Sequence, residues 1–188
     1  MCFSYPKDIQ QFFNVKPIEE NLAICVAPMH HGYYNALRVA EFFEIYKILG
    51  ASMVYIYDKW VTTDVKKLLK HYESKQMAQI FTWNLYGYGF EKELRYEGIF
   101  AALNDCLYRA TFIDKFKYIA VVDFDEILMP LRNDTTTLLE FLKLKDKEYY
   151  ASFNFQGAFF FSDFTNDLTT VPNNTSKLLK SALEMLID

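Results

Sequence analysis

The chain has 188 residues, of which 52% are hydrophobic and 23% charged, and its formal net charge is −4. This composition excludes a disordered protein, and the negative charge argues against a nucleic-acid partner. No apolar run approaches the about 20 residues of a membrane span, so we expect any membrane attachment to depend on an anchor outside this sequence. Three cysteines, none of them in a Cys-x-x-Cys pair, do not favour a disulfide scaffold or a zinc site.

Short apolar runs alternate with helical patterns along the chain. Such alternation is typical of βαβ units, so we predict an α/β fold with a doubly wound, mainly parallel sheet. In chain order the prediction is strand Leu22–Ala27, helix Tyr33–Leu49 ended by Gly50, strand Met53–Tyr57, helix Asp64–Tyr72, strand Met77–Trp83, a loop over 84–90, a long helix through Ile99–Ile113, strand Lys117–Val122, helix Thr136–Leu144 and a half-buried strand Tyr149–Gln156.

The organisation along the chain predicts one main domain. We assign residues 1–20 to an N-terminal lead-in, residues 21–165 to the domain, and residues 166–188 to an incomplete C-terminal segment. The amphipathic pattern Lys177–Ile187 stops without a cap or breaker, which is typical of a fragment. We therefore expect the fold to be truncated at its C-terminus.

The sharpest chemical feature is the acidic run Asp123–Glu126, directly after the predicted strand that ends at Val122. Ligands bind at the carboxyl ends of strands in open α/β sheets. Two carboxylates in an Asp-x-Asp pattern can hold one hard divalent cation, which in turn can bridge to a diphosphate. The alternative is a solvated turn whose acids cap a helix.

Two enzyme classes place Asp-x-Asp after an apolar strand. In haloacid-dehalogenase-like phosphatases the first Asp is the nucleophile. Their motif opens the fold, however, and a small or β-branched Thr or Val stands two residues after the second Asp. Here about 120 residues precede Asp123, and Ile127 stands at that later position. In the nucleotide-sugar transferase fold the motif closes a nucleotide-binding half of about this length. Position along the chain favours the transferase.

The chain resembles the family 92 glycosyltransferases over about residues 20–165. The resembling stretches occur in family order and at family-like spacing, which makes the set more specific than any one of them. They are Ala23–Pro28, Glu41–Ala51, Val54–Asp58, Asn104–Arg109 and Val122–Glu126.

The resemblance implies a GT-A fold and an inverting, metal-dependent hexosyltransferase that moves galactose from UDP-galactose to a glycan acceptor. It also implies a Golgi type II membrane protein, whose anchor we expect to be absent from this chain. One alternative is a truncated, inactive relative that only binds partners. We expect the chain as written to bind the donor weakly and to transfer poorly.

Carried over to single positions, the resemblance implies that Asp123 and Asp125 hold Mn²⁺ and the donor diphosphate. Glu126 would support them as an outer-shell acceptor or as a cap. Asp58, at the end of the second strand, would contact the uridine or ribose; its alternative is a turn-forming role. Arg109 is a candidate for the diphosphate, although its spacing from Asp105 also fits a surface ion pair.

Other positions are weaker candidates. Pro28, and Met29 beside it, would lie next to the uracil, whereas the adjacent His30 and His31 lack a nearby third metal ligand. An inverting displacement needs a carboxylate base, for which Asp163 is the nearest late candidate. The cysteines at positions 25 and 106 are expected to be small core residues.

Overall fold

The computed structural model describes residues 2–4, 21–29, 35–83, 98–130, 137–147 and 150–158. The chain divides into two compact units, residues 1–154 and residues 155–188. Every described helix and strand lies in the first unit. None of the helices in these ranges is long and apolar enough to cross a membrane.

The described strands form one six-stranded sheet with the order β4-β3-β2-β5-β1-β6. β2 pairs in parallel with β3 and with β5, and β3 pairs in parallel with β4. β1 and β6 extend the sheet beyond β5 as antiparallel strands. The mainly parallel α/β sheet is therefore confirmed. The strands are β1 (Cys2–Ser4), β2 (Leu22–Val26), β3 (Ala51–Asp58), β4 (Ala78–Thr82), β5 (Tyr118–Val122) and β6 (Ser152–Phe153).

Helices connect the parallel strands and cover both faces of the sheet. The chain runs from β2 outward to β3 and β4, then returns to β5 on the other side of β2. Because crossovers are right-handed, this reversal places the last connecting helix on the opposite face from the first two. The helices are α1 (Ala36–Ile48), α2 (Thr63–Ser74), α3 (Ile99–Tyr108), which continues into a π-helical turn at Arg109–Ile113, and α4 (Leu138–Lys145).

Both faces of the sheet carry a tight core. On one face the Phe43 ring of α1 stacks on the Tyr72 ring of α2, with centroids 4.0 Å apart. On the other face α3 presents small side chains to the sheet, which lets the helix approach closely. The buried cluster there comprises Ala23, Cys25, Tyr55, Tyr57, Ala102, Cys106, Ala110 and Ile119.

Local signals in the sequence set both ends of α1. The Asn35 side chain accepts a hydrogen bond from the Arg38 N–H at 3.0 Å and caps the start. Gly50 follows the last turn with φ +91°, as predicted for a glycine that ends a helix. A Cβ at Gly50 would lie 3.0 Å from the Cβ of Leu139 in α4. Both the conformation and the close approach therefore favour glycine here.

Three elements differ from the sequence prediction. β1 lies in the segment assigned only as a lead-in, because a three-residue strand carries no periodic signal. The strand expected over Tyr149–Gln156 is wrong in extent: of its described residues, 150–156, only Ser152 and Phe153 pair, and their partner is the short β1. The long helix changes to π geometry after Tyr108, where the Asp114 N–H bonds to the Arg109 carbonyl at 2.9 Å.

The prediction that Cys25 and Cys106 are small core residues is confirmed, but the two residues are also bonded to each other. They form a disulfide between β2 and α3, with Cα atoms 5.9 Å apart and 81 residues of sequence separation. Both residues are fully buried, as predicted. Their pairing depends on how α3 packs on the sheet, which sequence spacing does not reveal.

Candidate functional site

The carboxyl ends of β2, β3 and β5 meet at one edge of the sheet. Val26 pairs with Val122, so Asp123 begins beside Ala27, and Met29 forms a parallel bridge with Asp58. Asp58 and Asp123 thus lie at the same edge, separated by one strand. With strands about 4.8 Å apart, their backbones lie about 10 Å apart. The chain order reverses between β2 and β5, which is where α/β folds open a ligand crevice.

Residues 123–126 form a hydrogen-bonded turn, called the acidic turn below. The Glu126 N–H donates to the Asp123 carbonyl at 3.0 Å, and the Asp123 N–H donates to the Glu126 carboxylate at 3.1 Å. The Asp123 and Asp125 side chains are exposed. The Glu126 carboxylate therefore caps the N–H of Asp123, which precedes it, and not the segment that follows it, while the two aspartates are exposed.

Phe124 separates the two aspartates and anchors the acidic turn to α1. The centroid of its ring lies 4.8 Å from the centroid of the Phe42 ring, which lies 4.6 Å from the centroid of the Tyr46 ring. The apolar side chain between the carboxylates thus packs inward. Asp123 and Asp125, on either side of this half-buried ring, stay exposed.

The electrostatics of the acidic turn favour a bound cation. Partial burial at the strand end raises the pKa of the Asp123 carboxyl above its usual range, and the negative charges of Glu126 and Asp125 raise it further. No three His, Cys, Asp or Glu side chains within the described ranges form a complete metal cage. Hard cations such as Mg²⁺ often take only one or two carboxylates and complete their shell with water and substrate phosphates, and Mn²⁺ suits the same ligands. The acidic turn fits that kind of site.

Asp58 offers an unsatisfied acceptor at the same edge of the sheet. Its side chain is 17% exposed, and Oδ2 lies 3.9 Å from Nζ of Lys66 in α2. Its Oδ1 is buried and has no hydrogen-bond partner among the described residues. Buried polar atoms normally have partners, so Oδ1 is an acceptor that the described residues leave unsatisfied. Pro28 and Met29 are buried beside it.

Arg109 lies in a different environment, above β3 and β4. Its Nε donates to Oδ2 of Asp105 at 2.6 Å, and Tyr57 donates to the same oxygen at 2.8 Å. The guanidinium carbon also lies 4.6 Å from the centroid of the Phe81 ring. Burial alone would raise the pKa of Asp105, but the hydrogen bonds from Arg109 and Tyr57 outweigh it, so the pKa is lowered.

The structure does not bring Arg109 to the acidic turn. Its ring partner Phe81 is on β4, three strand spacings, or about 14 Å, from β5. The expected pair with Asp105 is present, and the diphosphate role stays a prediction. His30, His31 and Asp163 lie outside the described residues.

We expect Arg109→Gln to lower the free energy of unfolding by about 1 kcal/mol, because it removes a charge-assisted hydrogen bond that is partly screened by solvent. Urea denaturation measures this loss. Arg38→Gln is the matched control, because its ion pair with Glu41 is more exposed, at 59% and 48%; the loss there should stay below about 0.5 kcal/mol. If Arg109→Gln instead weakened UDP binding at unchanged stability, Arg109 would belong to the diphosphate site.

Sequence reasoning missed the aromatic support of the acidic turn. Phe42 and Tyr46 lie about 80 residues before it in the sequence and belong to an ordinary apolar helical pattern. Nothing local distinguishes them from core residues. Only the packing of α1 beside β5 reveals the contact.

Comparison with known proteins agrees with this architecture. Residues 20–186 match the family model of glycosyltransferase family 92. The beta-1,4-galactosyltransferase galt-1 of Caenorhabditis elegans is 31% identical over 118 residues, an alignment that covers 61% of this chain and 27% of the relative. The chain thus spans about a quarter of that relative's length. Because the family match covers most of its residues, the chain belongs to glycosyltransferase family 92.

Proposed function

We propose that this chain forms the nucleotide-sugar donor site of a metal-dependent glycosyltransferase with a GT-A-like fold. The observation that carries the proposal is the acidic turn, which presents two exposed carboxylates where the strand order reverses. Asp123 and Asp125 would hold a divalent cation, with Mn²⁺ as the proposed metal. Bound there, the cation would supply the positive charge that neutralises a departing diphosphate.

The remaining residues of the edge suit a nucleoside. In the proposed complex Oδ1 of Asp58, which has no hydrogen-bond partner among the described residues, would accept a hydrogen bond from a ribose hydroxyl or from the uracil N–H. Pro28 and Met29 lie next to it on the buried side. The separation of about 10 Å between Asp58 and Asp123 is one that a nucleoside diphosphate can bridge. UDP is therefore the proposed nucleotide.

The substrates are proposed from similarity. The relative named beta-1,4-galactosyltransferase supports galactose as the donor sugar and a glycan as the acceptor. Transfer from an α-linked UDP-sugar to a β product inverts the anomeric centre, which requires a general base. Asp163 remains the candidate base. The buried disulfide supports an oxidising compartment such as the Golgi lumen.

The phosphatase alternative is not favoured by any observation. Its nucleophile should follow the first strand of the fold, whereas Asp123 follows β5, the last of the four parallel strands. The family match also assigns the chain to a different class of enzyme. A truncated, inactive relative that only binds partners is a separate outcome of the test below.

Calorimetric titration with UDP tests the donor site. We expect UDP to bind in the presence of Mn²⁺ and to lose most of its affinity when EDTA removes the metal. A transfer assay with a panel of UDP-sugars and glycan acceptors then tests the reaction, with UDP-galactose expected to be the donor. Slow transfer is the expected result for the chain as written, and binding with no transfer at all would identify a binding-only relative. Equal affinity with and without Mn²⁺ would overturn the metal assignment, and a phosphoenzyme at Asp123 would favour the phosphatase.

A further inference from the structure

The acidic turn holds few contacts of its own. β5 ends at Val122, and residues 126–130 have neither helical nor strand structure. Two hydrogen bonds close the turn internally, both between Asp123 and Glu126. Two carboxylates that share one cation must keep their spacing to within a fraction of an ångström. The surrounding structure must therefore restrain the turn.

Tyr46 of α1 supplies such a restraint. Its hydroxyl donates to the Glu126 carbonyl at 3.0 Å and accepts from the Leu128 N–H at 3.3 Å. One hydroxyl thus bonds the backbone on both sides of Ile127. Tyr46 is fully buried, so its own position is fixed by packing.

The same helix contacts the acidic turn at a second point. Phe42 lies one helical turn before Tyr46 and packs against Phe124, between the two aspartates. Phe42 is 2% exposed, and its ring also contacts Tyr46. Helix α1 therefore contacts the acidic turn in two ways: Phe42 packs against the Phe124 ring, and Tyr46 bonds to the backbone of Glu126 and Leu128.

We infer that Tyr46 is a positioning residue for the donor site: its hydroxyl holds the acidic turn in the geometry in which Asp123 and Asp125 face a cation together. The inference rests on the proposed function, since it assigns a role to Tyr46 in metal-dependent donor binding. Tyr46 does not contact the donor in this arrangement. It acts through the backbone of Glu126 and Leu128.

Tyr46→Phe tests this role, because the ring and its contact with Phe42 remain and only the hydroxyl is lost. We expect the Kd for Mn²⁺-dependent UDP binding to rise about tenfold, because the variant loses the two hydrogen bonds that hold the acidic turn. Amide hydrogen exchange of the ligand-free protein provides a second readout. The Leu128 N–H loses its acceptor and should exchange at least about tenfold faster.

Tyr118→Phe is the matched control. Tyr118 is equally buried, and it lies on the strand that leads to the acidic turn, but its hydroxyl donates to Asp146 at 3.0 Å, after the end of α4. This variant should lose stability to a similar extent. Its UDP affinity and its Leu128 exchange rate should equal those of the wild type.

Two results would overturn the inference. One is wild-type affinity and Leu128 exchange in Tyr46→Phe. The other is an equal loss of affinity in Tyr118→Phe, which would show a general effect of stability. Failure of the proposed function is distinguishable, because the wild type itself would then show no Mn²⁺-dependent binding. Faster Leu128 exchange confined to Tyr46→Phe would still support the positioning of the turn.

Discussion

Replacing Asp125 with Asn is expected to weaken Mn²⁺-dependent UDP binding by at least about 100-fold. Mutating an outer-shell partner of a metal ligand already lowers metal affinity or activity by about 10–100-fold, and Asp125 would be a direct anionic ligand. Asn keeps the size of the side chain but removes the charge that a hard cation requires. Calorimetric titration of UDP at saturating Mn²⁺ measures the change. Asp123→Asn should behave in the same way.

The same substitution should leave the fold intact. The Asp123 pKa is raised by partial burial and by the charges of Glu126 and Asp125, so the neighbouring carboxylates repel one another. Neutralising Asp125 removes one source of that repulsion. The melting temperature of the metal-free Asp125→Asn protein should therefore equal or slightly exceed that of the wild type. UDP affinity would then fall while the melting temperature does not. This combination distinguishes a metal ligand from a structural carboxylate.

Asp64→Asn is the matched control for the loss of one negative charge. Asp64 lies in the first turn of α2, and its side chain is 74% exposed. Its removal should leave the Mn²⁺ dependence of UDP binding unchanged. If Asp125→Asn also kept the wild-type dependence, the acidic turn would not be the metal site, and the proposed donor site would have to be abandoned.

Removing the disulfide is expected to have the largest effect on stability. Replacing both Cys25 and Cys106 with Ala should lower the free energy of unfolding by about 2–4 kcal/mol, because the bond closes a long loop that restricts the unfolded chain. The bond also ties the central strand β2 to α3 through a buried cluster of small residues. Its loss therefore loosens the face of the sheet opposite α1 and α2. Urea denaturation of the oxidised wild type and of the double variant measures the difference.

Two controls make the disulfide experiment decisive. Cys2→Ala leaves the Cys25–Cys106 bond in place, so it separates the effect of the bond from the effect of losing a cysteine. Reductant added to the wild type should reproduce the loss seen in the double variant, and it should leave the double variant itself unchanged. Peptide mapping under non-reducing conditions should recover the linked peptides. Recovery of unlinked peptides, together with a stability of the wild type that does not change on reduction, would contradict the bond. It would also remove the support for an oxidising compartment.

Local patterns in the sequence determined the parallel core of the sheet and the place of the acidic turn. Apolar runs such as Leu22–Val26 and Tyr118–Val122 predict strands buried on both faces, because helices pack on both faces of such a sheet; all positions of the first run are buried, and so are all of the second except the half-buried Val121. Gly50 and Asn35 mark the ends of α1 through their own backbone and side-chain chemistry. The acidic turn follows directly from its position after an apolar strand. These features depend on residues that are neighbours in the sequence.

The tertiary structure alone decided the contacts between distant residues. The disulfide joins cysteines 81 residues apart, and Tyr46 reaches a carbonyl 80 residues away. The contacts of Arg109 show the same limit: its hydrogen bond to Asp105 follows from their spacing in the sequence, but its cation–π contact with Phe81 depends on how α3 lies over β4. Hydrophobic periodicity predicts which side chains are buried, since burial depends on one face of one element. It does not predict which buried side chains meet, because that depends on the order of the strands and on the helix that covers each face.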